Sequence, residues 1–238
     1  MIPESIKKHL SRENVILLSA LLLIPLYMRF GMATSFDYFF QGLFSHSQNL
    51  LPYIRVFYED SFNFLAFFIV PLLIVRVLLK ESPADYGLKA GDSRFGFAAV
   101  FILFLPAVGL MLLTILTDGP RPPTFHSFYP QIPAVGGSPG LFLVSTLFMV
   151  LYYAGFEFFY RGYLLFGLKE KFGATTALLI QALPSIIIHF NKPDGELFAS
   201  VAGEILLGML ALRTGSVIYG FCIHLLLGVS IELSAILF

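Results

Sequence analysis

The sequence predicts an all-α polytopic membrane protein with about seven transmembrane helices. Of its 238 residues, 57% are hydrophobic and only 13% are charged, whereas a soluble domain carries about 25% charged residues. The mean hydropathy is +0.82. Polar groups this scarce cannot cover a water-facing surface, so we expect the chain to be surrounded by lipid.

Seven segments are long and apolar enough to cross the roughly 30 Å of hydrocarbon in a bilayer. Their approximate bounds are 14–34, 61–80, 95–117, 139–160, 174–190, 197–213 and 216–238. The stretch 36–60 is aromatic but is broken by Gly, Ser, Asn, Gln and Pro, which predicts an interfacial helix and a loop. The stretch 118–140 is rich in Pro and Gly and predicts another loop.

The distribution of Lys and Arg predicts the orientation, because these residues favour the cytoplasmic side of a membrane. With a cytoplasmic N-terminus, eleven of the 15 Lys and Arg residues lie on or near the inner side. The other four are Arg29, Arg55, Arg121 and Lys192. We therefore expect a cytoplasmic N-terminus and, with seven spans, a C-terminus outside. The formal net charge of zero gives no support for a nucleic-acid partner, and the single cysteine, Cys222, excludes an intrachain disulfide.

Ionisable side chains within membrane spans are costly, so they indicate functional sites. In the C-terminal half they are Glu157, Arg161, His189, Glu204, His224 and Glu232. In the N-terminal half, Arg29 and Arg76 lie near span ends, where long side chains reach the interface. The chemistry is therefore expected within residues 150–238.

Glu157 and Arg161 are four residues apart, so they lie on one face of a helix. They could form an ion pair that neutralises itself in the membrane, or they could form part of a catalytic site. Glu204 has no cation within a helical turn of sequence, so it must be protonated, paired across helices or facing water. His189 and His224 could each be structural or functional.

A carboxylate and two imidazoles on separate helices suit the activation of water. The carboxylate can act as general base, and imidazoles can stabilise an oxyanion or carry the proton. The same residues could bind a zinc ion, but no HExxH motif is present.

The stretches FEFFYRGYLLFGL, SIIIHF and GFCIHLLLG, with 32 residues from Glu157 to His189, resemble the CPBP family. This is the family of CAAX proteases and bacteriocin-processing (Abi) intramembrane endopeptidases, with motifs EExxxR, FxxxH and HxxxN or HxxxD. The connector SPADYGL at 82–88 is also similar, and the resemblance covers about residues 80–235. The resemblance implies that residues 1–80 form N-terminal spans with an interfacial loop and that residues 81–238 form a protease core.

The resemblance implies hydrolysis of a peptide bond by a water that a Glu activates, with histidines at the oxyanion and without an obligatory metal. Residue by residue, Glu157 matches the second Glu, Arg161 the Arg, and His189 and His224 the two histidines. The first Glu, the family's usual base, is Phe156 here, and Ser185 and Gly228 replace the motif Phe and Asn. The chain is closer to a subgroup with WEFFFRG and HFxKPxxE, which adds Glu196.

Three assignments of the base stay open: Glu157, another carboxylate such as Glu204, or an inactive site. Arg161 one turn away favours Glu157. With straight spans, however, Glu157 lies near the inner side and His189 near the outer side. The two can meet only if the fourth helix is longer or shifted, or the fifth bends, as Pro184 would allow.

We expect an intramembrane endopeptidase that acts on a membrane-associated protein or a lipidated or terminal peptide, in a prokaryotic plasma membrane. The alternative is an inactive CPBP relative that acts as a membrane scaffold or confers bacteriocin immunity. A transporter is a third reading, because intramembrane Glu and His also form proton relays. No cofactor is expected, although a divalent metal such as zinc is possible.

Overall fold

The computed structural model describes residues 11–44, 50–116, 123–132 and 138–237, and every regular element in these ranges is helical. The elements are α1 (Arg12–Leu26, then a π-helical turn Tyr27–Gly31), α2 (Ala33–Phe40, then a 3₁₀ turn Gln41–Phe44), α3 (Leu51–Phe64, continued to Leu79), a 3₁₀ turn (Pro83–Tyr86), α4 (Ser93–Leu116), α5 (Phe125–Phe128), α6 (Pro139–Glu157, continued to Phe172), α7 (Ala174–Ile188, then a 3₁₀ turn His189–Asn191), α8 (Asp194–Thr214) and α9 (Ile218–Leu237). The predicted all-α class is confirmed.

Seven helices in the described ranges are long and apolar enough to cross a bilayer. They are Arg12–Gly31, Leu51–Leu79, Ser93–Leu116, Pro139–Phe172, Ala174–Asn191, Asp194–Thr214 and Ile218–Leu237. The prediction of about seven transmembrane helices in an integral membrane protein is therefore confirmed. Three of the cations that predict its orientation, Lys7, Lys8 and Arg121, lie outside the described residues.

The second span begins at Leu51 rather than at residue 61. The loop prediction is therefore wrong for residues 51–60, although the short helix α2 lies in the same stretch. Pro52 does not break α3, because it lies in the first turn, where its missing N–H leaves no bond unmade. Asp60 and Asn63 lower the hydropathy of this segment, but both are buried inside the protein rather than facing lipid.

The fourth span ends at Phe172 rather than at residue 160. Its 34 residues correspond to about 50 Å at 1.5 Å per residue. Glu157 then lies near the middle of this helix, which removes the predicted separation from His189. The sequence signal ended early because Arg161 and the tyrosines of the π-helical segment Phe158–Phe166 look polar, yet every residue of that segment is buried.

Ion pairs group the connecting segments at one end of the bundle. Arg12 at the start of α1 binds Glu170 near the end of α6, with Nη1–Oε2 at 2.6 Å. Asp92 before α4 binds Arg213 at the end of α8, with Oδ2–Nη1 at 2.9 Å. Seven spans that cross a membrane in alternating directions would place these four helix ends on the same side.

The two parts of the predicted division share one hydrophobic core. Ile16, Tyr27 and Phe67 from the first 80 residues lie in the same buried cluster as the aromatic side chains of α6. The rings of Phe67 and Phe159 stack with centroids 4.3 Å apart. The N-terminal spans therefore support the helix that carries the candidate site.

Candidate active site

The two candidate histidines meet at one aromatic ring. His189 follows α7, His224 lies in α9, and both contact the ring of Phe156 on α6. The centroid of Phe156 is 6.3 Å from that of His189 and 5.5 Å from that of His224, and both imidazoles stand nearly perpendicular to it. Both histidines line a cavity of about 330 Å³, the histidine cavity. The structure thus brings the two imidazoles to one place.

Glu157 contacts the histidine cavity through His224. Nδ1 of His224 is 2.6 Å from Oε1 of Glu157, and the carboxylate is almost completely buried. A Cβ atom at Gly220 would lie 2.5 Å from Oε2, so the glycine makes room for this carboxylate against α9. The imidazole also stacks on Tyr153, with centroids 5.0 Å apart. Glu157 is therefore placed behind His224 rather than among the residues that line the cavity.

Arg161 bridges two buried carboxylates. Its Nη1 is 3.3 Å from Oε1 of Glu157, and its Nη2 is 2.7 Å from Oε2 of Glu204. All three side chains are at most 2% exposed, and the guanidinium carbon also lies 5.3 Å from the ring centroid of Phe156. A buried charge is tolerated only when it is paired, and here one cation lies between two carboxylates.

Of the three alternatives left open for Glu204, the structure shows pairing across helices. Arg161 on α6 reaches Glu204 on α8 across the helix interface, and the contact is shorter than the one between Arg161 and Glu157. Sequence spacing shows partners on the same helix only, so it could not identify Arg161 as the partner of Glu204. Glu204 lines the histidine cavity directly, and it therefore remains a candidate for the chemistry.

His189 is oriented by the backbone of its own helix. Its Nδ1 is 2.9 Å from the carbonyl oxygen of Ser185, the residue at the motif Phe position. A carbonyl oxygen only accepts, so Nδ1 carries the proton and Nε2 holds the lone pair of the neutral ring. His224 is fixed in the same tautomer by Glu157, because an ionised carboxylate also only accepts.

Glu196 is a second carboxylate that lines the histidine cavity. Lys192 lies 2.6 Å from its Oε1, and the hydroxyl of Tyr129 donates to its Oε2 at 2.8 Å. Burial and the neighbouring Glu196 raise the pKa of Tyr129 well above its ordinary value, so the phenol keeps its proton and its donor role. The structure thus places Glu196 in the lining of the cavity that His189 also lines.

A resident metal does not fit the donors at this site. Within the described ranges, no three His, Cys, Asp or Glu side chains are grouped as a metal ion would require. The carboxylates are instead engaged by Arg161 and Lys192.

Sequence reasoning missed the aromatic side chains of the site. Phe156 entered only as the residue that replaces a motif Glu, yet its ring contacts both imidazoles. Tyr153 was not considered, although it lies four residues before Glu157 and hence on the same helix face. A Cβ at Gly228 would lie 2.7 Å from Cε2 of Tyr153, so the tyrosine occupies space that a motif Asn would need.

Comparison with known proteins finds a family match in the C-terminal part of the chain. Residues 137–229 match the model of a family described as Rce1-like, type II CAAX prenyl endopeptidase Rce1-like. The matched segment contains Glu157, Arg161, His189 and His224. It confirms the suspected CPBP resemblance and supports a protease embedded in a lipid bilayer with a protein substrate. No curated protein and no solved structure matches the chain.

Proposed function

We propose that the protein is an intramembrane endopeptidase that hydrolyses a peptide bond of a membrane-associated protein. The observation that carries the proposal is the 2.6 Å contact between His224 Nδ1 and Glu157 Oε1 at the wall of a cavity that His189 also lines. A carboxylate that holds an imidazole in one tautomer lets the other ring nitrogen act as a general base.

The reaction starts at His224. Its Nε2 takes a proton from a water in the histidine cavity, and the water oxygen attacks the carbonyl carbon of the scissile peptide bond. The imidazolium then gives this proton to the leaving amine as the C–N bond breaks. Glu157 stabilises the imidazolium, and Arg161 keeps Glu157 ionised. Glu157 is thus the Glu that activates water, acting through His224.

The oxyanion needs a hydrogen-bond donor. In neutral His189, the Nδ1–H group donates a hydrogen bond to the carbonyl oxygen of Ser185, so Nε2 can only accept. His189 can therefore donate to an oxyanion only as an imidazolium. Tyr153 lines the same cavity and stacks on His224. We propose that the hydroxyl of Tyr153 donates the hydrogen bond to the oxyanion, because it can do so without protonation of His189.

The proposal also covers the metal dependence of the reaction, the division of the chain and its orientation in the membrane. The chemistry uses no metal, so a chelator such as 1,10-phenanthroline should leave turnover unchanged. Residues 81–238 form the protease core, and residues 1–80 complete the membrane bundle. The bias of Lys and Arg supports a cytoplasmic N-terminus in a prokaryotic plasma membrane.

The test uses the full chain in liposomes with an internally quenched farnesylated CAAX peptide, the substrate class that the family description names. An unprenylated copy of the peptide and a quenched single-span transmembrane peptide are measured beside it. Wild type should cleave at least one of the three. His224→Gln should lower turnover by about 10²-fold or more, the usual contribution of a general base, and Tyr163→Phe, remote from the cavity, should not.

A second candidate function is an inactive relative that acts as a membrane scaffold or immunity protein. The observation that favours it is Phe156, whose ring occupies the position of the motif Glu and contacts both histidines. If wild type and His224→Gln give the same background with all three peptides, this candidate replaces the protease.

A further inference from the structure

A second cavity, of about 520 Å³, adjoins the histidine cavity. Tyr153, Lys192 and Gly228 line both cavities and form part of the wall between them. The second cavity also contacts α3, the segment Ser127–Gln131 and the last turns of α9. Three carboxylic acids line it, Glu59, Asp60 and Glu232, which define it as the acidic cavity.

Two of these acids keep an oxygen without a partner. Asp60 is 6% exposed and its Oδ2 has no hydrogen-bond donor among the described residues. Glu232 is 2% exposed; its Oε1 accepts from the backbone N–H of Gln131 at 3.2 Å, but its Oε2 has no donor in the same part of the chain. Glu59 is satisfied by neutral donors, the hydroxyl of Tyr27 and the N–H of Ala33.

The cations that line the acidic cavity are already engaged. Arg55 binds Asp37 with Nε–Oδ1 at 2.6 Å, and Lys192 binds Glu196 with Nζ–Oε1 at 2.6 Å. Burying a carboxylate with no paired cation costs several kcal/mol, of the order estimated for unpaired buried ions. A cationic group entering this cavity would lie beside these carboxyl groups and would favour their ionised form.

We propose that the acidic cavity binds a guanidinium or ammonium group, and that this group is a basic side chain of the substrate next to the scissile bond. The second clause rests on the proposed protease function, because only the shared wall with the histidine cavity places the basic residue near the bond that is cut. A planar guanidinium suits the site best, since its several N–H donors can serve two carboxylates at once.

The first experiment measures cation binding without any proteolysis. The purified full chain in detergent is titrated with n-butylguanidinium, and n-butylurea serves as the neutral control of similar shape. The thermal unfolding midpoint should rise saturably with n-butylguanidinium only. Asp60→Asn and Glu232→Gln should each weaken binding by about tenfold, the loss of one charge-assisted contact. Asp85→Asn, an exposed acid outside the cavity, should bind like wild type.

Equal stabilisation by the urea, or binding that both Asp60→Asn and Glu232→Gln leave unchanged, would overturn the cation site. It would also be overturned if no saturable shift occurred in wild type, since the carboxylic acids would then be neutral and complete without a ligand.

The second experiment addresses the substrate. Quenched peptides that wild type cleaves are resynthesised with Arg or norleucine at each position flanking the cut. One position should show at least a tenfold lower KM with Arg, and Asp60→Asn should abolish that preference. Cleavage with no preference for Arg at any position would refute the substrate clause and leave the protease standing. Absence of all cleavage, with n-butylguanidinium still bound, would refute the protease and the substrate clause but not the cation site.

Discussion

Around the histidine cavity, each carboxylate has a cation within 3.3 Å: the buried Glu157 and Glu204 share Arg161, and the partly buried Glu196 has Lys192. Around the acidic cavity, Asp60 and Glu232 have no cation within ion-pair distance among the described residues. A buried pair roughly offsets its own desolvation, whereas an unpaired carboxylate does not. The contrast separates a site whose carboxylates already contact cations from one in which Asp60 and Glu232 contact none among the described residues.

Removing Arg161 should have the largest effect, because it serves two carboxylates. Arg161→Met leaves Glu157 and Glu204 buried without their cation, and we expect a loss of about 3–5 kcal/mol in unfolding free energy. Unfolding in mixed micelles measures it. The triple variant Arg161→Met with Glu157→Gln and Glu204→Gln removes the charges as well and should recover most of the loss. Wild-type stability of Arg161→Met would show that these carboxylates are not ionised.

The next effect is on turnover. Glu157→Gln keeps the shape of the side chain but removes the negative charge that stabilises the His224 imidazolium. We expect turnover of the cleaved peptide to fall by about 10²-fold or more, while the protein still inserts and binds. Glu204→Gln should be milder, because Glu204 contacts Arg161 and not an imidazole. The reverse ranking of the two variants would make Glu204 the base.

The wall between the two cavities can be tested at Gly228. A Cβ there would lie 2.7 Å and 2.9 Å from ring atoms of Tyr153, so Gly228→Ala should cost about 1–3 kcal/mol by overpacking. Adding Tyr153→Leu should relieve the strain and restore stability. If Gly228→Ala does not change the stability, the ring of Tyr153 is not held against α9 as the structure places it.

The two cavities should respond oppositely to neutralisation. Asp60→Asn removes an uncompensated carboxylate and should leave stability unchanged or raise it by about 1 kcal/mol. Glu204→Gln removes the shorter of the two carboxylate contacts of Arg161, at 2.7 Å, and should lower it. Unfolding midpoints of the two variants without any ligand decide the matter, and a loss of stability in Asp60→Asn would mean that the acidic cavity already contains its cation.

The smallest effect concerns an exposed pair at the far end of the bundle. The N–H of Phe95 and the guanidinium of Arg213 lower the pKa of Asp92. A carboxyl whose pKa is lowered by folding stabilises the protein above its unfolded pKa, about 3.9 for Asp, and this contribution disappears as pH falls through the folded value. Asp92→Ala should therefore flatten the acid side of the unfolding midpoint against pH, and an unchanged profile would contradict the pairing.

The sequence alone determined the fold class, seven spans and the C-terminal location of the ionisable residues, because hydropathy and composition are properties of the chain itself. It could not set the length of two helices. Asp60 and Asn63 in α3, and Arg161 in α6, look like polar interruptions until the fold surrounds them with protein. A hydropathy pattern does not show whether a polar residue faces protein or lipid.

The site divides in the same way. Residue types and motif spacing alone indicate Glu157, Arg161, His189 and His224 as candidate site residues. Only the tertiary structure decided that Arg161 reaches Glu204 on another helix, and that Glu157 contacts the cavity through His224. The same is true of the acidic cavity, because Asp60 and Glu232 come from α3 and α9. Pairing across helices depends on which faces pack together, and packing is set by the whole bundle rather than by any one segment.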